Sequence, residues 1–532
     1  MNMVSHTLTI PDLRAGGDYL SRLPLANPML AEQQLVAYLE ALIDNPPDPE
    51  TLFALLEQAR VPLAFVEEEM ARRYHNRSLV LSDEEENCFR QVLAAWDRMG
   101  KAYALCARLL EPGSESSQDS AKVAAILHRC LYYTGMLILE HFRARREVPA
   151  GVWQDLNGYY ETAEQLSVTY TPVNDSLESN LQATHCAAAY VTVLLIEIAN
   201  PYSKSVRNLN LIRRWAGMWA PLVSLHPVDD EFDVPPYVVE LVRDAPIHAT
   251  GGTDHLGPDA RRLDTSRIGL QLSHMLSQLH QRMSPSQLGL GEETSGHVID
   301  LLEHLSRPWT QTASPRKFRR FASEGMARVA AGFEAIYFFV SGTEFVQADS
   351  ARTYSRGEFN ELFAFRDRAS PSQSLSLQPE VNFTTDQWHV INHSANGFRL
   401  ARGQAGQRIA FSQLLAICPH DGERFLLAQV TWLMQEDDGG LVAGLAMLPG
   451  MPEAVRARHA PAKGTQGDRY QRAFLLPAVP AIHQDASIVI PNGLYRASGA
   501  LELVDGGKPS LVRMNHVKQR GVDFDRITYE AI

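Results

Sequence analysis

What this chain is short of limits what it can be. Its five cysteines (Cys88, Cys106, Cys130, Cys186, Cys418) are odd in number and never approach a C-x-x-C spacing. That excludes a disulfide frame and a thiolate zinc site, and it fits reduced thiols. Long apolar runs are missing too. The longest, CAAAYVTVLLIEIA (186–199), is interrupted by Glu197 and falls short of the ~20 residues a membrane span needs. It reads as a buried core helix. The opening residues, MNMVSHTLTIPDLRAGG, lack the basic start and apolar core of a secretory signal, so a cytoplasmic location is expected. Catalytic signatures are equally scarce. There is no G-x-S-x-G elbow, no Walker loop, no H-E-x-x-H, and no G-x-G-x-x-G after a strand. GLGEETSGH (289–297) is glycine-rich but has no Lys-Ser/Thr ending, and reads as a loop. Histidines are scattered; His297 and His304, seven apart, are spaced to share a helix face. No catalytic set, cofactor or metal site emerges, and the chain is not expected to be an enzyme.

What is present is an ordinary globular composition of 532 residues, 45% hydrophobic and 21% charged, enough for several domains. The net charge of −13 is unevenly spread: residues 310–532 carry 24 basic and 22 acidic side chains, leaving −15 on the first 309. The acidic part repels nucleic acid and membrane phosphates, so no nucleic acid polymer is expected as a partner, and an anionic ligand belongs at the C-terminal end.

Apolar residues at three- and four-residue spacing recur from LAEQQLVAYLEALID through SRIGLQLSHMLSQLHQRM. Residues 1–309 therefore read as an all-helical region, bundle-like or solenoid-like, punctuated at 112–120, 200–205 and 249–262. Asp83, Glu84, Glu85 and Glu86 fit a helix N-terminus, where carboxylates favour the dipole. The tryptophan pair in RRWAGMWAPL (213–222) is spaced for a helical core. After the basic stretch SRPWTQTASPRKFRR (306–320) the texture becomes β-rich: MARVAAGF (326–333), QWHVIN (387–392), QRIAFSQLLAIC (407–418), RFLLAQVTWLM (424–434) and GLVAGLAML (440–448). AAGFEAIYFFVSG (330–342) and GEFNELFAF (357–365) are partly helical in pattern. Short strands without crossover helices predict a small barrel over 310–459, with an insertion around 335–380. Residues 460–532, with a hairpin at ALELVDGGKPSLVRM, predict a further small β domain. The fold class is α+β multidomain.

Between two of the strand-like runs lies Asn392-His393-Ser394-Ala395-Asn396-Gly397, an N-x-S-x-x-G element. Asn392 and Ser394 sit two apart and project to one face of a strand, each able to donate and accept hydrogen bonds. Gly397 permits a close approach. An Asx-type turn explains the same residues without a ligand. Upstream, Arg316-Lys317-Phe318-Arg319-Arg320 supplies an R-x-x-x-R whose guanidinium forks suit phosphate and the guanine edge. Downstream, a Trp-bearing strand leads into a Gly-bearing one.

Taken in order, these elements resemble the PilZ domain family, over about residues 312–455. The resemblance implies a six-stranded barrel that binds the bacterial second messenger cyclic di-GMP. It implies that Arg316 and Arg320 clamp phosphates and guanines, that Arg319 stands in for either neighbour, that Asn392 and Ser394 hold a guanine edge, and that Gly397 gives the ligand room. About seventy residues separate the arginines from the motif, so the insertion must be accommodated, and a rival pair, Arg352 and Arg356, lies closer. The expectation is a cyclic di-GMP receptor whose helical region meets a protein partner, with an output in motility, type IV pilus function or exopolysaccharide production. The alternative is a helical scaffold or chaperone-like protein carrying a degenerate barrel.

Overall fold

The computed structural model describes residues 8–109, 117–177, 183–228, 236–250, 256–311, 320–323, 325–347, 383–460, 468–505 and 508–532. GEFNELFAF, Arg316, Arg319, Arg352 and Arg356 lie outside those residues. Two compact units emerge, Met1–Lys317 with Leu433–Leu441, and Phe318–Trp432 with Val442–Ile532.

The first unit is built mainly of helices: α1 (Leu13–Leu20), α2 (Pro28–Asp44), α3 (Pro49–Ala71), α4 (Asp83–Leu109), α5 (Ser117–Ala144), α6 (Val152–Gln165), α7 (Cys186–Ile198), α8 (Val206–Trp219), α9 (Ser266–His280) and α10 (Ser295–Trp309). Their starts obey capping chemistry. Asp12, Asn27, Asp48 and Ser205 each accept a backbone N–H in the first turn, and proline opens α2 and α3. The four acidic residues do open α4. The apolar run 186–199 forms α7, buried on nearly all sides, and the tryptophan pair lies in the core, Trp215 donating to the Leu290 carbonyl.

One part of this region departs from the all-helical expectation. Residues 224–264 contain β1 (Ser224–Pro227), β2 (Tyr237–Glu240), β3 (His248–Ala249) and β4 (Ala260–Asp264), an antiparallel sheet ordered β1-β4-β2-β3. Strands of two to five residues are too short to print an alternation on the sequence. Residues 433–441 join this unit through Gln435, whose N–H donates to the Arg145 carbonyl and whose carbonyl accepts from Glu147, both at 2.8 Å. The Arg146 guanidinium donates to the Gln435 side chain at 3.0 Å and to Glu86 at 2.8 Å.

Inside the helices sits an unusual carboxyl group. Glu67 of α3 is fully buried and neither oxygen has a hydrogen-bond partner. Burial pushes its pKa well above the ordinary carboxylate range, and the nearby carboxylates of Glu32 and Glu140 push it further. Its neighbour Glu140 goes the other way, to about 2. Burial opposes its charge, but Arg143, His75 and Tyr74 outweigh that. A raised folded-state pKa holds stability in full below the unfolded value and loses it as pH climbs towards the folded one. The loss runs at about 1.4 kcal/mol per pH unit at most. Glu67→Gln removes that titration. The variant is expected to melt higher than wild type at pH 7.5, with the gain shrinking to nothing near pH 4.5. Melting curves across that range check it; a pH-independent difference would contradict it.

The second unit holds β5 (Phe321–Ala322), β6 (Met326–Ala331), α11 (Phe333–Ser341), β7 (Asp386–Ser394), β8 (Gly397–Arg402), β9 (Leu414–Pro419), β10 (Leu426–Gln435), β11 (Leu441–Met447), β12 (Glu453–His459), β13 (Gln471–Leu476), β14 (Ser487–Pro491), β15 (Ala500–Asp505), β16 (Lys508–Arg520) and β17 (Phe524–Ala531). The last residues of β10 are those counted with the first unit. Neighbours run β7-β6-β9-β10-β11-β8, and the β7–β8 hairpin completes a six-stranded barrel, with β5 extending β6 along the same edge of β7. A second closed barrel runs β12-β13-β14-β17-β16-β15. It takes up residues 453–459, which the sequence pattern alone groups with the first barrel. Alternation says which face of a strand is buried and nothing about which sheet it joins. Among the described residues no helix is long and apolar enough to cross a membrane, and no group of three His, Cys, Asp or Glu is placed to hold a metal ion.

Candidate ligand site

The N-x-S-x-x-G element forms the β7–β8 hairpin. Ser394 pairs with Gly397, His393 with Phe398 and Asn392 with Arg399, with a bulge between Val390 and Asn392. Trp388, Val390 and Leu400 point into the barrel; alternation turns Arg399 outward, and the bulge, by inserting one residue, sets its partner Asn392 and then Ser394 on the same outer face. The Ser394 hydroxyl accepts the Asn396 N–H at 3.4 Å, and the Asn396 carbonyl accepts the Met447 N–H at 2.8 Å. The turn is thereby hooked onto β11.

Gly397 has a purpose that needs no ligand. A Cβ there would collide with the Leu445 carbonyl of β11, a backbone atom that cannot swing away. The glycine lets β8 lie close against β11 at the barrel's closing seam.

Arg320 is exposed and stands one residue before Phe321, which pairs with His393; Ala322 pairs with Asn392. The short β5 thus lands the end of the basic stretch directly beside Asn392 and Ser394, although some seventy residues intervene in sequence. Ring contacts tie the graft down: Phe321 and His393 lie 5.8 Å apart, His393 and Phe398 6.2 Å. Of the sequence-derived residues, Arg320, Asn392, Ser394 and Gly397 come together. Arg316 and Arg319 precede them outside the described residues.

Two residues join this face that the motif did not reveal. The Arg399 guanidinium lies over the Trp432 indole, 5.6 Å from the ring centroid. Glu436 donates to Gly440 and the Thr431 hydroxyl to Gly444 across β10 and β11, a register that sets Trp432 opposite Gly444. Any side chain at Gly444 would strike the indole. From β7 to β10 the outer face therefore reads Asn392, Arg399, Gly444, Trp432. The sequence carried a hint in the Trp-strand followed by a Gly-strand, but their contact with Arg399 depends on a non-local register.

Chemically the face offers a cation at Arg320, two neutral hydrogen-bonding groups at Asn392 and Ser394, and a cation stacked on an aromatic ring. That set suits an anionic ligand with a flat, polar-edged base.

Three family models match the chain in succession. Residues 14–230 match the family model described as the N-terminal domain of the cyclic-di-GMP receptor FimW, and residues 455–532 match the FimW C-terminal beta-barrel domain. Between them, residues 237–367 match the middle PilZ domain of the same receptor; this match reaches into the first barrel and ends before the N-x-S-x-x-G hairpin. One relative is the protein named cyclic-di-GMP receptor FimW of Pseudomonas aeruginosa. It is 22% identical over an alignment that covers 96% of this chain and 89% of the relative. Over this middle segment, residues 237–367, the chain is similar to the PilZ domain of that receptor.

Proposed function

We propose that this chain is a cyclic di-GMP receptor whose first barrel carries the ligand on its β7–β8 face. The observation that carries the reading is the β5–β7 pairing, which brings Arg320 beside Asn392 and Ser394. The name of the Pseudomonas relative supports the ligand class. Arg320, with Arg316 and Arg319 ahead of it, would neutralise the phosphates, and Asn392 and Ser394 would read a guanine edge. The Arg399–Trp432 pair would offer a stacking surface to the base. The role is that of a receptor and not of a catalyst. The helical unit is the natural effector surface, meeting a protein partner with an output in motility, pilus function or exopolysaccharide production. A ligand changes that output only if it binds one state of the chain better than another.

The test is calorimetric titration with cyclic di-GMP of the wild-type chain, Arg320→Ala, Ser394→Ala and Arg458→Ala, the last a control on the second barrel. Wild type and Arg458→Ala are expected to bind at micromolar levels or tighter, and the two site variants at least tenfold more weakly. At a hundred times its Kd the ligand should stabilise the fold by about 2.7 kcal/mol. Absence of binding by wild type, or equal binding by all four proteins, would remove the reading and leave a helical scaffold with a silent barrel.

A further inference from the structure

The two barrels of the second unit share one connectivity. Numbered by order of appearance within each barrel, the strands of the first run 2-1-4-5-6-3 around the circle (β7-β6-β9-β10-β11-β8). The second, started at its own second strand, runs β13-β12-β15-β16-β17-β14, which is again 2-1-4-5-6-3. Six strands can close in many cyclic orders, so agreement at every step is a specific likeness.

With the connectivity matched, pairing in the hairpin between second and third strands aligns individual positions. The pair nearest the loop is Ser394 with Gly397 in the first barrel and Leu476 with Ser487 in the second. Two residues further in, Asn392 pairs with Arg399, and Phe474 with Val489. The outward positions that present Asn392, Ser394 and Arg399 in the first barrel are therefore filled by Phe474, Leu476 and Val489 in the second. These three residues are fully buried, although they point away from the second barrel's own core of Val455, Ala473, Ile488, Ile490 and Ile527. They pack with Ala330 of β6, Leu414, Ala416 and Cys418 of β9, and Ile336 of α11. The Phe474 ring lies 5.6 Å from that of Phe333. Polar bonds border the apolar contact: Leu414 N–H donates to Asp523 at 2.9 Å and Val522 N–H to the Ser412 carbonyl at 3.1 Å.

We infer that the C-terminal barrel is a second copy of the ligand-binding barrel whose ligand face has become an intramolecular docking face. Its apolar residues now bury against the outside of β6 and β9, so the two barrels form one cooperative body and the chain offers a cyclic dinucleotide a single face. The inference rests on the reading of Asn392, Ser394 and Arg399 as the ligand face only for this last clause; the packing stands without it.

The test uses the full chain and hydrogen exchange followed by mass spectrometry, with Val489→Arg as the disruptive variant and Val489→Ala as a milder one that should fold. Exchange is expected to rise at least tenfold in Val489→Arg, and by a smaller factor in Val489→Ala, in β6 and β9 as well as in β13 and β14. Loosening confined to the second barrel in both variants would overturn the shared-body inference. In the ligand arm, cyclic di-GMP is titrated into an Arg320→Ala/Ser394→Ala double variant. All saturable binding is expected to vanish, and residual binding lost only on Val489→Arg would overturn the single-face inference by revealing a site on the second barrel. If wild type itself does not bind, the ligand reading falls while the exchange result still decides the packing.

Discussion

Gly397→Val is expected to open the first barrel at its closing seam and to destabilise the second unit by roughly 3 kcal/mol, the upper range for overpacking a tight site. The reason is local. The added Cβ would meet the Leu445 carbonyl oxygen, with the Leu445 carbon 3.2 Å and the Ala446 Cα 3.5 Å away. All three are backbone, so no rotamer change relieves the clash, and β8 must move off β11. Ser394→Ala removes only a hydroxyl that accepts one long hydrogen bond from Asn396, and its cost should stay below about 1 kcal/mol. Urea titration of both variants separates two roles folded into one motif. Ser394 is expected to change ligand affinity with little change in stability, and Gly397 to change stability first. A Gly397→Val protein as stable as wild type would mean that the seam accommodates a side chain.

Asp175→Ala is expected to cost about 3–5 kcal/mol, the range for removing one partner of a buried ion network. The Asp175 side chain is only 1% exposed and meets two buried guanidinium groups, Arg60 at 2.9 Å and Arg129 at 3.3 Å. Arg129 also binds Glu57, which accepts a hydrogen bond from Tyr103, and Arg60 donates to Tyr133. The network joins α3, α4 and α5 to the segment around residue 175. Without the carboxylate, Arg60 keeps its charge in a fully buried position and loses its bonds to Asp175. Burial opposes ionisation of Asp175, but hydrogen bonding and charge from Arg60, then the charge of Arg129, hold its pKa below the ordinary value. A lowered folded-state pKa contributes stability above the unfolded value and loses it as pH falls through the folded one. Wild type should therefore weaken below about pH 4, where the variant has less left to lose. Chemical denaturation at pH 7 and pH 3.5 measures both effects; a difference under 1 kcal/mol at neutral pH would contradict the network's role.

Much of this architecture can be read in the chain because its signals are local. The apolar run of α7 and the acidic start of α4 announce themselves within a few residues of their own positions. So do the β-rich runs that became β6, β7, β10 and β11. The parts that escaped depend on partners distant in sequence. Nothing within residues 453–459 says that β12 belongs to the second barrel, and nothing near Phe321 says that it will pair with His393. The site divides along the same line. Asn392, Ser394 and Gly397 form a compact motif and were legible. Arg399 became visible only once the hairpin set its register against Asn392 and the β10–β11 ladder brought Trp432 to the same row. Glu67 shows a different limit, since a glutamate in a helical pattern reads as a solvated residue until its neighbours are known.

The row that ends in Trp432 also gives the molecule an optical property. Of its seven tryptophans, Trp96, Trp153, Trp215, Trp219, Trp309 and Trp388 are buried, whereas Trp432 is half-exposed. A collisional quencher added to the intact chain therefore reaches one indole far more readily than the other six, and that indole lies on the outer face beside Arg399. Quenching of native fluorescence thus reports on this one face of the first barrel, with no label attached.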